Sequence, residues 1–319
     1  MEIPSELIAA KKLVEWTILA LPGVVGVGIE MREENGELFD ELAVRVYVAD
    51  KSSIPSGIPE VVGGVGVCIV ESLIEPIAQD NSRYNPLVGG IKIEKPLKGF
   101  GTLGAVVQDS STGELLGLSN FHVVGDKNAV FPDTIWQPQA PPLIAGSPTP
   151  PNDNIGSVIR VDFPQTQPLP FSPILAGLTD SAVFKLTPAL NQGRTLSSNI
   201  VDQVDRIVAT DFPVIGSLVS KRGCTTRLTE GIVLASYLTV QWTAGPLNAF
   251  LLEQAEVTST PTNPGMLFCD KGDSGSVILN KNSATAVGLL WAQSYGGTRG
   301  IMSFISNVQS QLGVNIAWI

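Results

Sequence analysis

The sequence predicts a mainly β fold preceded by a small α+β unit, on three observations. Glycine (32) and proline (23) are plentiful, and Val, Ile and Thr recur in short runs with turn formers between them, as in chains of many short strands. One N-terminal stretch carries clear helical periodicity and is followed by a hairpin signal. Between Glu75 and Gly90 the chain turns polar and irregular (Pro76, Asn81, Asn85, Pro86, Gly89-Gly90), which divides it into units spanning 1–85 and 90–319. With 44% hydrophobic and 16% charged residues in 319, it has material for a sizeable core and lacks the signature of disorder.

Residues 4–21 place Leu7, Ala10, Leu13, Val14, Ile18 and Leu21 at helical spacing with Lys11, Lys12 and Glu15 elsewhere on the wheel, an amphipathic helix that Pro22-Gly23 ends. Residues 24–31 and 41–48 read as strands joined around Asn35-Gly36, a strong hairpin turn signal, and 65–70 reads as a returning strand. This unit shows no concentrated polar cluster; its expected role is packing, assembly or regulation. After the boundary, 101–107 and 115–118 form a second hairpin, with His122 just past it. Prolines crowd 137–173, so that stretch is expected to be a long loop interrupted by a strand at 155–161. Further strands are expected at 178–186, on both sides of a tight turn within 218–234, and at 237–242, 250–257, 277–279 and 286–291; residues 304–312 read as a short helix.

Twenty basic and thirty acidic residues leave a net charge of −10 without a basic run able to track a phosphate backbone, which excludes nucleic acid as a direct partner. No apolar run approaches the roughly 20 residues needed to span a bilayer, and Lys11-Lys12 interrupt the apolar N-terminal stretch, so a soluble, cytoplasmic protein is expected. Cys68, Cys224 and Cys269 are far apart and signal neither a disulfide framework nor a metal site. Cys269 is expected to be a small buried apolar group.

Chemistry concentrates at Lys271-Gly272-Asp273-Ser274-Gly275-Ser276-Val277, a glycine-flanked serine running into an apolar strand. A serine hydroxyl needs a base within hydrogen-bond reach, itself oriented by a third group. The chain holds one histidine, His122, so any imidazole that activates Ser274 is that one. Asp180, at the start of a strand, is the candidate third group; Asp153, Asp162, Asp202, Asp205 and Asp211 are rivals expected to be solvated loop or turn residues. Gly272 can adopt backbone angles closed to other residues, so that its amide and that of Ser274 point together at a developing oxyanion. Gly272-Asp273-Ser274-Gly275 also fits a surface turn, and a lone histidine is ordinarily structural; the coincidence of all three groups in one chain favours chemistry.

The order His122, Asp180, Ser274 is that of the chymotrypsin-like fold. Residues 118–124 resemble the strand-to-histidine segment of trypsin-like serine proteases, 179–186 resemble their Asp-x-Ala-hydrophobic strand, and 272–276 resemble Gly-Asp-Ser-Gly-Gly. Residues 219–233 are similar to the Gly-x-Thr-Thr-Gly…Gly-x-Ile hairpin of bacterial alpha-lytic and streptogrisin-type enzymes. With its N-terminal α+β unit the chain looks like a group of bacterial trypsin-like proteins and, less closely, the plant narrow-leaf proteases. The resemblance, over 99–316, implies two six-stranded β-barrels with the site in the cleft between them, Ser274 as nucleophile, His122 as base, Asp180 as its orienter, and the amides of Gly272 and Ser274 as oxyanion donors. Asn120-Phe121 replace the family's Ala-Ala, Ser276 its second Gly and Arg227 the Gly of Thr-Thr-Gly. By the same resemblance Phe268, Asp270 and Trp291 line the substrate pocket. Phe268 stands where a trypsin-like preference for Arg or Lys needs an acid, so a small or apolar substrate side chain is expected.

The expected function is therefore a serine endopeptidase acting on peptide or protein substrates without a cofactor or metal. Two rivals remain: a protease-fold binding or assembly protein that oligomerises through its N-terminal unit and captures peptides without turnover, and an enzyme confined to self-cleavage. Activity is expected to fall as His122 protonates, around the imidazole reference value of about 6.5.

Overall fold

The computed structural model describes residues 3–34, 37–71, 80–126, 133–140, 153–167, 174–203, 206–242, 249–260 and 267–316. Strands dominate, and the two halves of the chain curl into the two sheets of a chymotrypsin-like double barrel. The first sheet is eight-stranded, in the spatial order Val314–Ile316, Ala105–Asp109, Leu115–Ser119, Ser181–Lys185, Asn154–Asp162, Thr134–Trp136, Ile91–Lys95 and Gly99–Leu103. Leu103, Val106, Ile155 and Phe184 fill one side of it.

In the second half, Ala249–Ser259, Arg299–Phe304, Thr285–Ser294, Val277–Asn280, Leu218–Gly223 and Arg227–Trp242 pair in that order, and Arg227–Trp242 pairs back onto Ala249–Ser259 to close the ring. Val219, Val257, Phe268, Ile278 and Met302 fill its interior. Pairing continues outward from Ala249–Ser259 and from Arg227–Trp242, and with Ala209–Thr210 lying parallel to Thr285–Ser294 the sheet reaches thirteen strands. On one side Val24–Glu34 lies against Arg227–Trp242, with Gly26 opposite Val240 and Val27 opposite Thr239. The N-terminal hairpin and the parallel strand Val65–Glu71 thus extend the second barrel's sheet.

The helix Ser5–Leu19 packs over this junction with a face that differs from the predicted one. Leu13 is 83% exposed, while Lys11 and Glu15 are buried. The reason is the neighbouring strand: Thr239 donates to Glu15 at 2.7 Å, and Lys11 donates to Thr239 at 2.8 Å and to Glu15, so the pair enters the interior with its polar atoms partnered. The unit also holds a polar cluster that the sequence did not show. Glu30, Arg45 and Glu256 are fully buried, with Arg45 against Glu30, Tyr47 donating to Glu256 at 2.9 Å and Arg299 3.4 Å from it. Its members lie far apart in the chain, so no local run displays it.

Other differences are short strands at Leu87–Gly89, Ile91–Lys95, Thr134–Trp136, Leu196–Ile200 and Arg299–Phe304, which polar and glycine residues mask in the sequence. The strand expected at 101–107 is divided at Gly104, and 227–242 is one strand instead of two. The Asn35-Gly36 turn, Glu75 and Pro76, most of the prolines between 141 and 173, and Asp205 lie outside the described residues. Among the described residues no helix is long and apolar enough to cross a membrane.

Candidate active site

The strand Leu115–Ser119 runs into a single helical turn, Phe121–Val124, that carries His122. Lys98 donates to the Phe121 carbonyl at 3.0 Å and also to that of Gly125, tying down the C-terminal end of the turn. Antiparallel pairing of Ala182 with Ser119 and of Val183 with Leu118 sets Asp180 beside that turn. Asn120, one of the departures from the resembled motif, donates its side-chain amide to the Asp180 carbonyl at 2.6 Å.

The Asp180 carboxylate is fully buried and receives three donors. His122 gives its backbone N–H to Oδ1 at 2.9 Å and its Nδ1 to Oδ2 at 2.8 Å, and Trp242 gives its indole Nε1 to Oδ2 at 2.6 Å. Burial opposes ionisation, but the His122 charge and these hydrogen bonds outweigh it and hold Asp180 below the usual carboxylate range. With Nδ1 assigned as the donor, Nε2 is the lone-pair nitrogen of the ring. That nitrogen is buried and has no hydrogen-bond partner among the described residues.

The serine loop reaches this pair from the second barrel. Ser274 accepts at its carbonyl from Thr102 N at 2.8 Å, on the strand Gly99–Leu103. A side chain at Gly101 of that strand would strike both Val123, next to His122, and the Ser274 carbonyl, which shows how closely the serine loop and the histidine turn approach. Gly275, at φ 97°, permits the contact: a Cβ there would sit 2.2 Å from the Thr102 carbonyl. The loop is anchored by Asp273, which pairs with buried Lys221 at 2.9 Å and accepts from Thr225 N at 2.9 Å, Thr226 Oγ1 at 2.6 Å and Asp270 N at 2.9 Å.

The oxyanion candidates Gly272 and Ser274 are oriented through the carbonyls of their own peptide bonds. Thr225 Oγ1 donates to the Lys271 carbonyl at 2.9 Å, and Ser276 N donates to that of Asp273 at 3.0 Å. In a trans peptide the N–H points opposite the C=O, so the amides of Gly272 and Ser274 face away from these partners. Gly272 sits at φ 103°, a conformation that favours glycine. The Ser274 hydroxyl, 6% exposed as a residue, donates to the Trp291 carbonyl at 3.2 Å in this structure.

The three predicted pocket residues are not brought together. Phe268 is packed in the interior of the second barrel, whereas the Trp291 indole lies in another cluster with Phe121, Trp242 and Ile301 and donates to Gln254 at 2.8 Å. Asp270 is partly exposed on the loop; burial, then the nearby Asp273 charge, raises its carboxyl above the usual range. Cys269 is a free, buried thiol pushed up by burial, and its Sγ donates to the Arg299 carbonyl at 3.4 Å. Of the rival acids, Asp153 pairs with Arg83 at 2.7 Å, Asp202 with Arg222 at 3.2 Å, and Asp211 accepts from Phe212 N at 2.8 Å; Asp162 accepts from Thr179. None of these takes the place of Asp180 at the histidine. Trp242, Lys98, Lys221 and Thr225 were not singled out in the sequence, and only the threonine-rich turn gave any signal of them.

Fold and site together define a chymotrypsin-like double barrel carrying a buried acid–imidazole pair beside a glycine-flanked serine. No protein-family model matches the chain, and no curated protein matches it. Among solved structures it is similar to Thermobifida fusca Protease A (15% identity, 72% of this chain and 97% of that one, TM-score 0.48). It is similar also to Nocardiopsis Protease (16%, 72% and 98%, TM-score 0.49) and to Cellulomonas bogoriensis chymotrypsin (16%, 72% and 97%, TM-score 0.46). Likenesses at this level say nothing about the site, whose chemistry is read from its own geometry.

Proposed function

We propose that the protein is a serine endopeptidase in which Ser274 is the nucleophile, His122 the general base and acid, and Asp180 the group that orients His122. The observation that carries this is the 2.8 Å contact between Nδ1 of the chain's one histidine and a fully buried carboxylate, which leaves Nε2 as an unpartnered acceptor. A buried charge of this kind is costly unless it is partnered, and here its partner is the imidazole. On attack the Ser274 Oγ–H turns from the Trp291 carbonyl towards Nε2. Oγ bonds to the substrate carbonyl carbon as Nε2 takes the proton; the C–N bond then breaks as the proton passes to the leaving amine, and water releases the acyl group by the same route. The amides of Gly272 and Ser274 take the oxyanion. Free, buried Cys224 and Cys269 fit a reducing compartment.

A second reading is favoured by one observation: the Ser274 hydroxyl donates to Trp291 and not to His122, as in a protease-fold protein that binds peptides without turnover. A fluorophosphonate probe separates the two. The endopeptidase labels as wild type and loses labelling in both Ser274→Ala and His122→Ala; wild type that stays unlabelled in every assembly state sinks it. Intact mass over time tests self-cleavage, which is excluded if wild type shortens no more than Ser274→Ala.

A further inference from the structure

Two of the three donors to the Asp180 carboxylate belong to His122, the residue that Asp180 is to orient. Among the described residues only the Trp242 indole comes from elsewhere, from the end of the strand Arg227–Trp242 in the other barrel. Resting on the triad assigned above, we propose that Trp242 is a positioning residue. Its N–H holds Oδ2 of Asp180 in line with Nδ1 of His122, and so couples the second barrel to the catalytic pair of the first.

The bond is charge-assisted, and at 2.6 Å it is shorter than either bond from His122. An indole donates and cannot accept, so it holds the ionised carboxylate in one orientation and offers no second pattern. The ring has little freedom. It is buried with Leu251 and Trp291, and its centroid lies 6.0 Å from that of Phe121, the residue before His122. The strand end is clamped on both sides, by Ala249 opposite Trp242 and by the N-terminal hairpin, whose Gly26 faces Val240. The other charged groups that act on Asp180 are Lys98, from the first barrel, and Asp162, at the end of Asn154–Asp162.

Without the indole, Oδ2 turns its full charge on the imidazole and the carboxylate is free to rotate. The first change stabilises the imidazolium in the free enzyme and moves the acid limb of the pH–rate profile to higher pH; the second lowers kcat and leaves KM unchanged. A purely structural tryptophan produces neither.

Trp242→Phe keeps the ring and removes the donor. The expected result is a fall of roughly tenfold or more in kcat/KM or in the rate of fluorophosphonate labelling, carried by kcat, with the acid limb moved to higher pH. Trp136→Phe, which removes an indole that donates to Thr134 at 3.1 Å in the first barrel, is expected to keep the wild-type rate. A folded Trp242→Phe with wild-type rate and an unmoved acid limb overturns the proposal. If wild type itself fails to label, the endopeptidase reading falls and the positioning contact is tested by NMR. The single histidine gives one imidazole signal, and Asp180→Asn must shift the Trp242 indole N–H resonance. An indole resonance that does not respond to Asp180→Asn overturns the contact, and the same measurement decides if Trp242→Phe does not fold.

Discussion

Asp180 keeps its charge inside the protein because His122 and Trp242 meet it on both oxygens, and that makes it the residue whose change is most informative. Asp180→Asn preserves shape and removes the charge, and is expected to lower turnover on the order of 10³–10⁴-fold in single-turnover assays. The same residue contributes to stability in a defined pH window. Its folded value lies below that of an unfolded carboxylate, about 3.9, so its contribution is complete above that value and is lost as pH falls through it. Acid unfolding, followed by urea midpoints between about pH 5 and 2, is therefore expected to be less steep in Asp180→Asn. Lys98 works in the opposite direction. Burial, with the Lys95 charge, pushes its ammonium down to about 8 while it caps the histidine turn. The unfolded chain then holds the extra proton between about pH 8 and 10.4, so stability rises with pH across that window and the rise disappears in Lys98→Met. His122, Asp180 and Ser274 stood out as candidates because each sits in a short string whose residue types the proposed chemistry demands. Trp242 was not, because a tryptophan at the end of a strand looks the same whether its N–H meets solvent or a carboxylate.

Among the elements, the turn between Leu218–Gly223 and Arg227–Trp242 and the serine loop behave as one unit around Asp273. Lys221→Met leaves that carboxylate buried without its charge partner and is expected to cost about 3–5 kcal/mol in chemical unfolding, well above the effect of an exposed lysine. Gly275→Ala forces a Cβ to within 2.2 Å of the Thr102 carbonyl at φ 97°. It is expected to destabilise by about 2–4 kcal/mol and to abolish probe labelling, because it pushes the serine loop off the first barrel. A variant with wild-type stability would show that the two barrels do not need this approach. The N-terminal helix, the first hairpin and most strands were legible from periodicity and turn formers. The substrate pocket was not: Phe268, on the loop that precedes the serine, packs in the barrel interior, while Trp291, on the strand Thr285–Ser294, joins the separate cluster around Trp242.

At the scale of the whole molecule, the N-terminal unit and the second barrel share one sheet and two buried polar clusters, Lys11-Glu15-Thr239 and Glu30-Arg45-Tyr47-Glu256. Such a junction predicts joint unfolding. Hydrogen exchange is expected to give the amides of Val24–Glu34 the same opening free energy as those of Arg227–Trp242, and a markedly lower value for the hairpin would show that the unit opens by itself. By itself the sequence determined the fold class and singled out His122, Asp180 and Ser274 as the candidate groups, because hydrophobic period, turn chemistry and a unique histidine are local or countable properties. Only the tertiary structure decided that Asp180, and none of the rival acids among the described residues, meets His122, that a distant indole holds it, and that the glycine-flanked serine loop is pinned by Lys221, Thr225 and Thr226. These are contacts between residues 46 to 62 positions apart, and pairing register and barrel closure, not any run of residues, bring them within hydrogen-bond reach.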